Sequence, residues 1–570
     1  MSISIKRPIP LQLHSDSTLI PIFLLLLFPV LLYGKFLWNP VVFDDLDFFN
    51  GTIHAEYLGK IFSLKLRWLP YASFEWTRVL LGLDLIWFHL GNLALHIANT
   101  IALFLLLRRL FEIVIPQEKA IANNPNTIAT LPLSWLAFFC ALIFSLHPAS
   151  VYAVTYLSQR SILMATFFTL IMWRLFLEGI VRENQYWLIA SAVAYFFAVF
   201  SKEHTVMAPA VAATMMLLLR QPSRRVFTQI WPTFVLYGLI GMLVMFEVRS
   251  GHILGQTYEI NASQMLARLA EQDPGFNIQM AYPLSILTQS FLFFKYLLIW
   301  IVPSPAWMSV DMYEDFARRL WSWPQIAGLI GFIAYPIITL RLLLQRGTKG
   351  LFGFALLCPW LLFITEFSTI RIQESFVIYR SYFWMAGMFA AMPFMMQKVP
   401  AKRAVVAFIV ITLIMIPTAW LRLVTFSHPL LLWDDAARLV ADKTDRPGVE
   451  RIYYNRGQAL FRLAHYQQAI EDYDKALVIS PGYSYAYNGR GAAYLELKEY
   501  QQAMNDFNKA IELNPQYFPP FIGKGLTYEK LNNLDAARLN YEISCLMGSA
   551  QGCRQFRELP AHRDEPLPGQ

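Results

Sequence analysis

Residues 457–490 read GQALFRLAHYQQAIEDYDKALVISPGYSYAYNGR, and residues 491–524 follow in register as GAAYLELKEYQQAMNDFNKAIELNPQYFPPFIGK. The period is 34 residues. Gly457, Gly491 and Gly525 keep it, as do Ala469, Ala503 and Ala537. Tyr473, Phe507 and Tyr541 share the register, with Tyr466 matching Tyr500 and Pro481 matching Pro515. Small residues let paired helices approach, aromatic rings fill the space between them, and proline closes each unit. Units of this kind bury a continuous core only by stacking on one another.

This is the tetratricopeptide period. It places three repeats near 450–483, 484–517 and 518–551, in a domain covering 431–570. The segment Trp433 to Lys443 reads as a helix leading into the array. The third unit ends in Cys545 and Cys553, eight apart in a polar stretch. That ending resembles the Cys-x7-Cys of Sel1-like repeats, in which a helix end is tied to the start of the next helix. The resemblance implies a Cys545–Cys553 disulfide in an oxidising compartment. Two free thiols in a cytoplasmic array is the alternative. Cys140 and Cys358 fall in apolar segments and read as packing residues.

Upstream of the repeats the composition changes. The 570-residue chain is 56% apolar and 15% charged, well under the ~25% charged of soluble domains. Residues 1–430 carry long apolar runs, so the net charge of +8 reads as membrane topology rather than nucleic-acid binding. Spans are expected near 18–38, 84–107, 132–147, 161–180, 186–201, 204–220, 230–247, 324–344, 351–367, 377–397 and 404–425. The run 284–302 carries Lys295, and the charge placement favours its lying in the interface or re-entering over a full crossing. With the N-terminus inside, Arg108/Arg109, Arg174/Arg182, Arg220/Arg224/Arg225, Arg341/Arg346/Lys349 and Lys398/Lys402/Arg403 all fall inside. The expected architecture is therefore all-α. A polytopic bundle of about eleven spans in a cytoplasmic (inner) membrane precedes an external, periplasmic repeat domain.

The polar motifs gather on the external side. Val42-Phe43-Asp44-Asp45-Leu46-Asp47 sets three carboxylates within four positions after the first span. Crowding and lost hydration raise the pKa of such a group and suit it to proton abstraction; a solvated helix stop is the plainer reading. His147-Pro148 breaks a helix, and Arg160 enters the next apolar stretch as a lone cation that either meets phosphate or snorkels. Lys202 and Glu203 either pair with each other in a turn, or Lys202 meets a lipid-linked phosphate. Lys295 and Arg371 are weaker candidates for the same contact, with Glu374 and Arg380 beside Arg371. His89 and His96 read as packing histidines, because a zinc site needs more ligands than this spacing supplies. No GxxxxGK[ST] or G-x-S-x-G motif is present, and no symmetric pair of interrupted helices marks a secondary transporter.

The order of motifs resembles the GT-C superfamily of membrane glycosyltransferases. More narrowly, it is similar to the transmembrane and tetratricopeptide-repeat O-mannosyltransferase family and its bacterial relatives. The matching residues are Phe43-Asp44-Asp45, RWLPYASFEW at 67–76, HLGNLALHIAN at 89–99, HPASVYAVTYLSQR at 147–160, SKE at 201–203 with Pro209, and the repeats. Tyr152 stands where eukaryotic members carry an acidic residue. The resemblance implies a polyprenyl-phosphate-sugar donor, an inverting transfer to an acceptor, and a catalytic acid in the first external loop, Asp44 with Asp45 in support. It leaves open a divalent Mg or Mn ion at Asp44/Asp45. The implied partners are the lipid-linked donor, membrane lipid, and a protein or glycan acceptor that the repeats help to hold, with no nucleic acid. His147, Arg160, Lys202, Glu203, Lys295 and Arg371 are the expected substrate contacts. A non-catalytic repeat scaffold for envelope assembly, and a flippase or polymerase for lipid-linked glycans, are the competing readings.

Overall fold

The computed structural model describes residues 18–42, 45, 65–122, 131–251, 254–257, 259, 262–443 and 446–559. All its regular elements are helices; one isolated bridge joins Met312 and Phe376.

The repeats form as their period predicts. Helix pairs run Glu450–Arg462 with Tyr466–Ile479, Ser484–Glu496 with Tyr500–Leu513, and Pro519–Lys530 with Leu534–Leu546, and Ala550–Glu558 closes the array. The reason for the glycines is steric. A Cβ on Gly457 would lie 2.8 Å from Tyr473, and one on Gly489 would lie 2.7 Å from the same ring. Tyr473 is thus gripped by its own unit and by the next, as is Phe507 by Gly491 and Gly523, at the close packing of a protein interior. Arginines answer aspartates in the same rhythm. Arg456 donates to Asp472 at 2.7 and 2.8 Å, and Arg490 to Asp506 at 2.8 and 2.8 Å. Cys545 and Cys553 are joined as a disulfide, their Cα atoms 4.4 Å apart, tying Leu534–Leu546 to the closing helix.

Before the repeats, eight helices among the described residues are long and apolar enough to cross a membrane, or nine if the bent pair Leu133–Leu146 and Pro148–Thr155 counts as one. Leu85–Ala122 is the longest, at 38 residues. Arg224–Ser250, Gln325–Leu344 and Ala401–Thr425 bury only 22% of their most apolar stretch, against 61% for Leu157–Arg182, Ile278–Ile301 and Gly347–Ser368. The first three therefore form the rim and the last three the interior. The run expected in the interface is a continuous 24-residue helical stretch, Ile278–Ile301, of crossing length. The expected spans at 186–201 and 204–220 are the shorter apolar helices Gln185–Ser201 and Glu203–Leu219. The one at 377–397 is divided into Ile378–Met385, Ala386–Ala391 and Met392–Met396.

The lead-in helix is Pro429–Leu439, four residues earlier than the sequence suggested. His428 explains the shift: its Nδ1 accepts the N–H of Leu430 at 3.1 Å, with proline at the first helical position, where its missing N–H is harmless. The repeats rest on the bundle through ion pairs. Arg422 meets Asp435 at 2.7 Å, Arg268 meets Glu450 at 2.7 Å, and Arg451 meets Asp311 at 2.7 Å.

Candidate functional site

The site begins at a broken helix. His147 ends one helix and caps the next, its Nδ1 accepting the N–H of Ala149 at 3.1 Å. Its ring stacks on Trp300 with centroids 4.3 Å apart. The second helix stops at Thr155 and a turn at Leu157–Gln159 follows. A break in an apolar bundle leaves backbone groups that must find partners. Here Asp45 accepts the N–H of Leu157 at 3.0 Å and of Ser158 at 2.8 Å. Asn92 donates to the carbonyls of Val154 and Leu157, both at 3.3 Å. Asn92 belongs to a buried polar seam of His89, Asn92, His96 and Asn99 on Leu85–Ala122. His89 contacts the Asn39 carbonyl at 3.1 Å, and His96 contacts Tyr382 and the Ser145 carbonyl at 2.8 and 3.0 Å.

These contacts correct several expectations. Asp45 is 1% exposed and holds the turn with both oxygens, which makes it a structural latch for the helix break. Asp44 lies outside the described residues. Arg160 is not poised for phosphate. Its guanidinium donates to Asn92 at 2.9 Å, Phe88 O at 2.8 Å, Ser73 O at 3.3 Å and Thr77 at 3.3 Å. It lies 4.0 Å from the Phe74 ring centroid. Gly91 makes room for it, since a Cβ there would sit 2.8 Å from Arg160 Nη2. His147 is buried and caps the helix that follows it. Lys295 pairs with Glu314 at 2.6 Å, which answers its charge with a carboxylate.

The remaining candidates converge. Lys202 follows Gln185–Ser201 and precedes the short helix Glu203–Met207. Glu203 does not turn back to it. It pairs instead with Arg67, whose Nε donates at 3.0 Å. His204 Nδ1 lies 3.4 Å from Glu203, and its Nε2 lies 3.2 Å from Glu366. Glu366, 1% exposed, also meets Arg371 at 3.6 Å and Arg380 at 3.2 Å. Arg380 reaches Glu374 at 3.0 Å. Arg371 Nη2 stands 3.4 Å from His204 Nε2. That nitrogen can accept from Arg371 or donate to Glu366, but not both in one protonation state.

A small cleft is lined by Lys202, His204, Thr205 and Arg380 together with the apolar Ile162, Ala165, Phe383 and Trp384. Among the described residues the Lys202 ammonium has no hydrogen-bond or ion-pair partner. Burial, then Arg67, push its pKa down to about 7, with Glu203 opposing the shift in part and Arg380 and Arg371 adding to it. Burial pushes Glu203 up, but Arg67 and His204 outweigh it and hold the carboxyl well below the usual range. The cleft thus offers a cation that gains by meeting an anion, with apolar side chains beside it.

His204, Glu366 and Arg67 were not singled out from sequence. The only sequence signals were their places in SKEH, in the segment Glu366 to Arg380 and in RWLP. The described residues contain no group of three or more His, Cys, Asp or Glu able to hold a metal ion.

Comparison with known proteins bears on the repeats. The tetratricopeptide repeat family matches residues 450–483 and 484–517. No curated protein matches. Among solved structures, the Arabidopsis OM64 TPR domain is 20% identical over 20% of this chain and 97% of its own, with a TM-score of 0.19. The APC/C hetero-tetramer Cut9-Hcn1 is 12% identical over 78% of this chain and 92% of its own, with a TM-score of 0.22. At such scores neither likeness bears on architecture or activity.

Proposed function

We propose that this chain is a membrane glycosyltransferase that takes a sugar from a polyprenyl-phosphate donor and places it on an acceptor hydroxyl, of a protein in the first instance. The reading includes a multi-pass bundle, a cytoplasmic N-terminus and external repeats that help to hold the acceptor. The observation that supports it is the Lys202 ammonium, without a hydrogen-bond or ion-pair partner among the described residues, at a small cleft also lined by Arg380, His204 and apolar side chains. A lipid phosphate is an anion that would answer this charge.

In the proposed reaction the acceptor oxygen attacks the anomeric carbon from the face opposite the phosphate. The bond from that carbon to the phosphate oxygen breaks, and its electron pair leaves on polyprenyl phosphate. Lys202, with Arg380 beside it, stabilises the charge growing there. The hydroxyl proton passes to a carboxylate. Asp44 is the proposed base, because Asp45 next to it is committed to the turn. A general base contributes ~10²–10⁴-fold in rate.

Two variants test this. Asp44→Asn is expected to lose sugar transfer by that factor while still binding farnesyl phosphate. Lys202→Ala is expected to weaken farnesyl phosphate by ~10–100-fold, the worth of one charged hydrogen bond. Full transfer by Asp44→Asn would end the assignment of the base. Full phosphate binding by Lys202→Ala would end the donor assignment. Failure of the wild type to transfer sugar or bind phosphate would favour the second reading, a membrane-anchored repeat scaffold, which the tetratricopeptide match also fits.

A further inference from the structure

Arg371, Glu374 and Arg380 sit on one segment, residues 370–380, whose place is fixed from two sides. On the bundle side, Glu259 accepts three successive backbone N–H groups: Ile372 at 3.3 Å, Gln373 at 2.8 Å and Glu374 at 3.2 Å. Ser285 accepts the N–H of Arg371 at 2.9 Å. On the other side stands Arg451, from the first helix of the repeats. Its Nη2 donates to the Gln373 carbonyl at 3.3 Å, while Nε and Nη2 hold Asp311 at 2.9 and 2.7 Å. Gln373 therefore carries Glu259 on its N–H and Arg451 on its carbonyl. The next residue, Glu374, holds Arg380, and Arg380 shares Glu366 with Arg371 and His204.

We propose that Arg451 is a positioning residue for the Lys202 cleft, so that the first repeat helix is a structural part of the anion site rather than a tethered module. The proposal rests on reading that cleft as an anion site. Arg451 touches no substrate; it acts through the segment that presents Arg380 to the cleft. The reason is geometric. A planar guanidinium bonded to two elements at once fixes their separation, which an ammonium cannot do in the same way. Displacing a charged group by ~1 Å is enough to lose much of its effect on a bound anion.

The competing explanation is that Arg451 merely helps to dock the repeats. Arg268 is the control for that. It pairs with Glu450 at 2.7 Å, one residue from Arg451 on the same docking face, and among the described residues it makes no hydrogen bond or ion pair to residues 370–380.

The experiment uses the full chain in lipid nanodiscs and two readouts: calorimetric titration with farnesyl phosphate, and hydrogen exchange at the amides of Ile372, Gln373 and Glu374. Arg451→Ala is expected to weaken farnesyl phosphate roughly tenfold and to speed exchange at those amides. Arg451→Lys keeps the charge opposite Asp311 and is expected to retain the docked repeats without restoring either readout. Arg268→Ala is expected to leave both unchanged. Equal losses in Arg268→Ala and Arg451→Ala, restoration of both readouts by Arg451→Lys, or unchanged exchange in Arg451→Ala would each overturn the proposal. If the wild-type chain fails to bind farnesyl phosphate, the anion reading falls by itself. Arg451 is then judged by exchange alone: faster in its alanine variant only, the positioning role stands; unchanged, it falls.

Discussion

The repeats and the bundle both contain buried charges, but they connect them differently. In the repeats an arginine meets an aspartate 16 residues on, Arg456 with Asp472 and Arg490 with Asp506, and the pattern recurs with the repeat. In the bundle Arg67 meets Glu203 across 136 residues, and Asp45 meets Ser158 across 113. A periodic contact is supported by the same contact in the neighbouring unit, so losing one weakens one interface. A contact between distant segments has no copy, and its loss leaves a buried group stranded.

The sharpest way to break this comparison is at Asp45. Asp45→Ala strands two buried N–H groups at the helix break, an expected loss of about 2–6 kcal/mol at ~1–3 kcal/mol per group. Thermal unfolding in nanodiscs measures it. Asp45→Asn keeps one acceptor oxygen and is expected to recover about half. If the alanine variant melts with the wild type, the turn is not held by Asp45.

Next comes the repeat counterpart. The third unit carries Lys524 and Asn540 where the others carry arginine and aspartate, so the array already tolerates a neutral partner at this position. Asp506→Asn is therefore expected to lower stability by only ~1 kcal/mol, the net worth of a typical hydrogen bond. Denaturant titration of the chain checks this. A loss as large as that of Asp45→Ala would erase the contrast between the two regions.

A third test, of affinity rather than stability, concerns pH. With its pKa near 7, Lys202 must take up a proton to meet an anion in alkaline solution. Farnesyl phosphate affinity should therefore be highest near and below pH 7. It should fall above that, by at most ~tenfold per unit for a single proton. Lys202→Arg should flatten the profile between pH 7 and 9, because a guanidinium keeps its proton there. An identical slope in both proteins would place the titrating group elsewhere.

Legibility followed the same divide. The helix pairs, the Gly457–Tyr473 register and the repeat boundaries could be read because each was written more than once. The apolar runs marked the long helices, and the His147-Pro148 pair announced a break. The same signature at His428-Pro429 was missed, which put the lead-in helix four residues late. Lys202 and Arg371 were legible as charges in an apolar chain, but so were Arg160 and Lys295, and sequence gave no means of sorting them. The sorting depends on partners. Arg160 finds Asn92 and the Phe88 carbonyl, Lys295 finds Glu314, and Lys202 finds none among the described residues.

By itself, then, the sequence determined the all-helical class, the repeat period with its steric logic, and the set of charged residues that lie among apolar neighbours. Those properties are local or periodic, and short-range spacing encodes them. Only the tertiary structure decided which of those charges are neutralised, that Asp45 serves the helix break, and that Arg451 of the repeats reaches the segment bearing Arg371 and Arg380. Each of these depends on which distant segments pack together, and electrostatic interaction falls off with distance in space, whatever the separation along the chain.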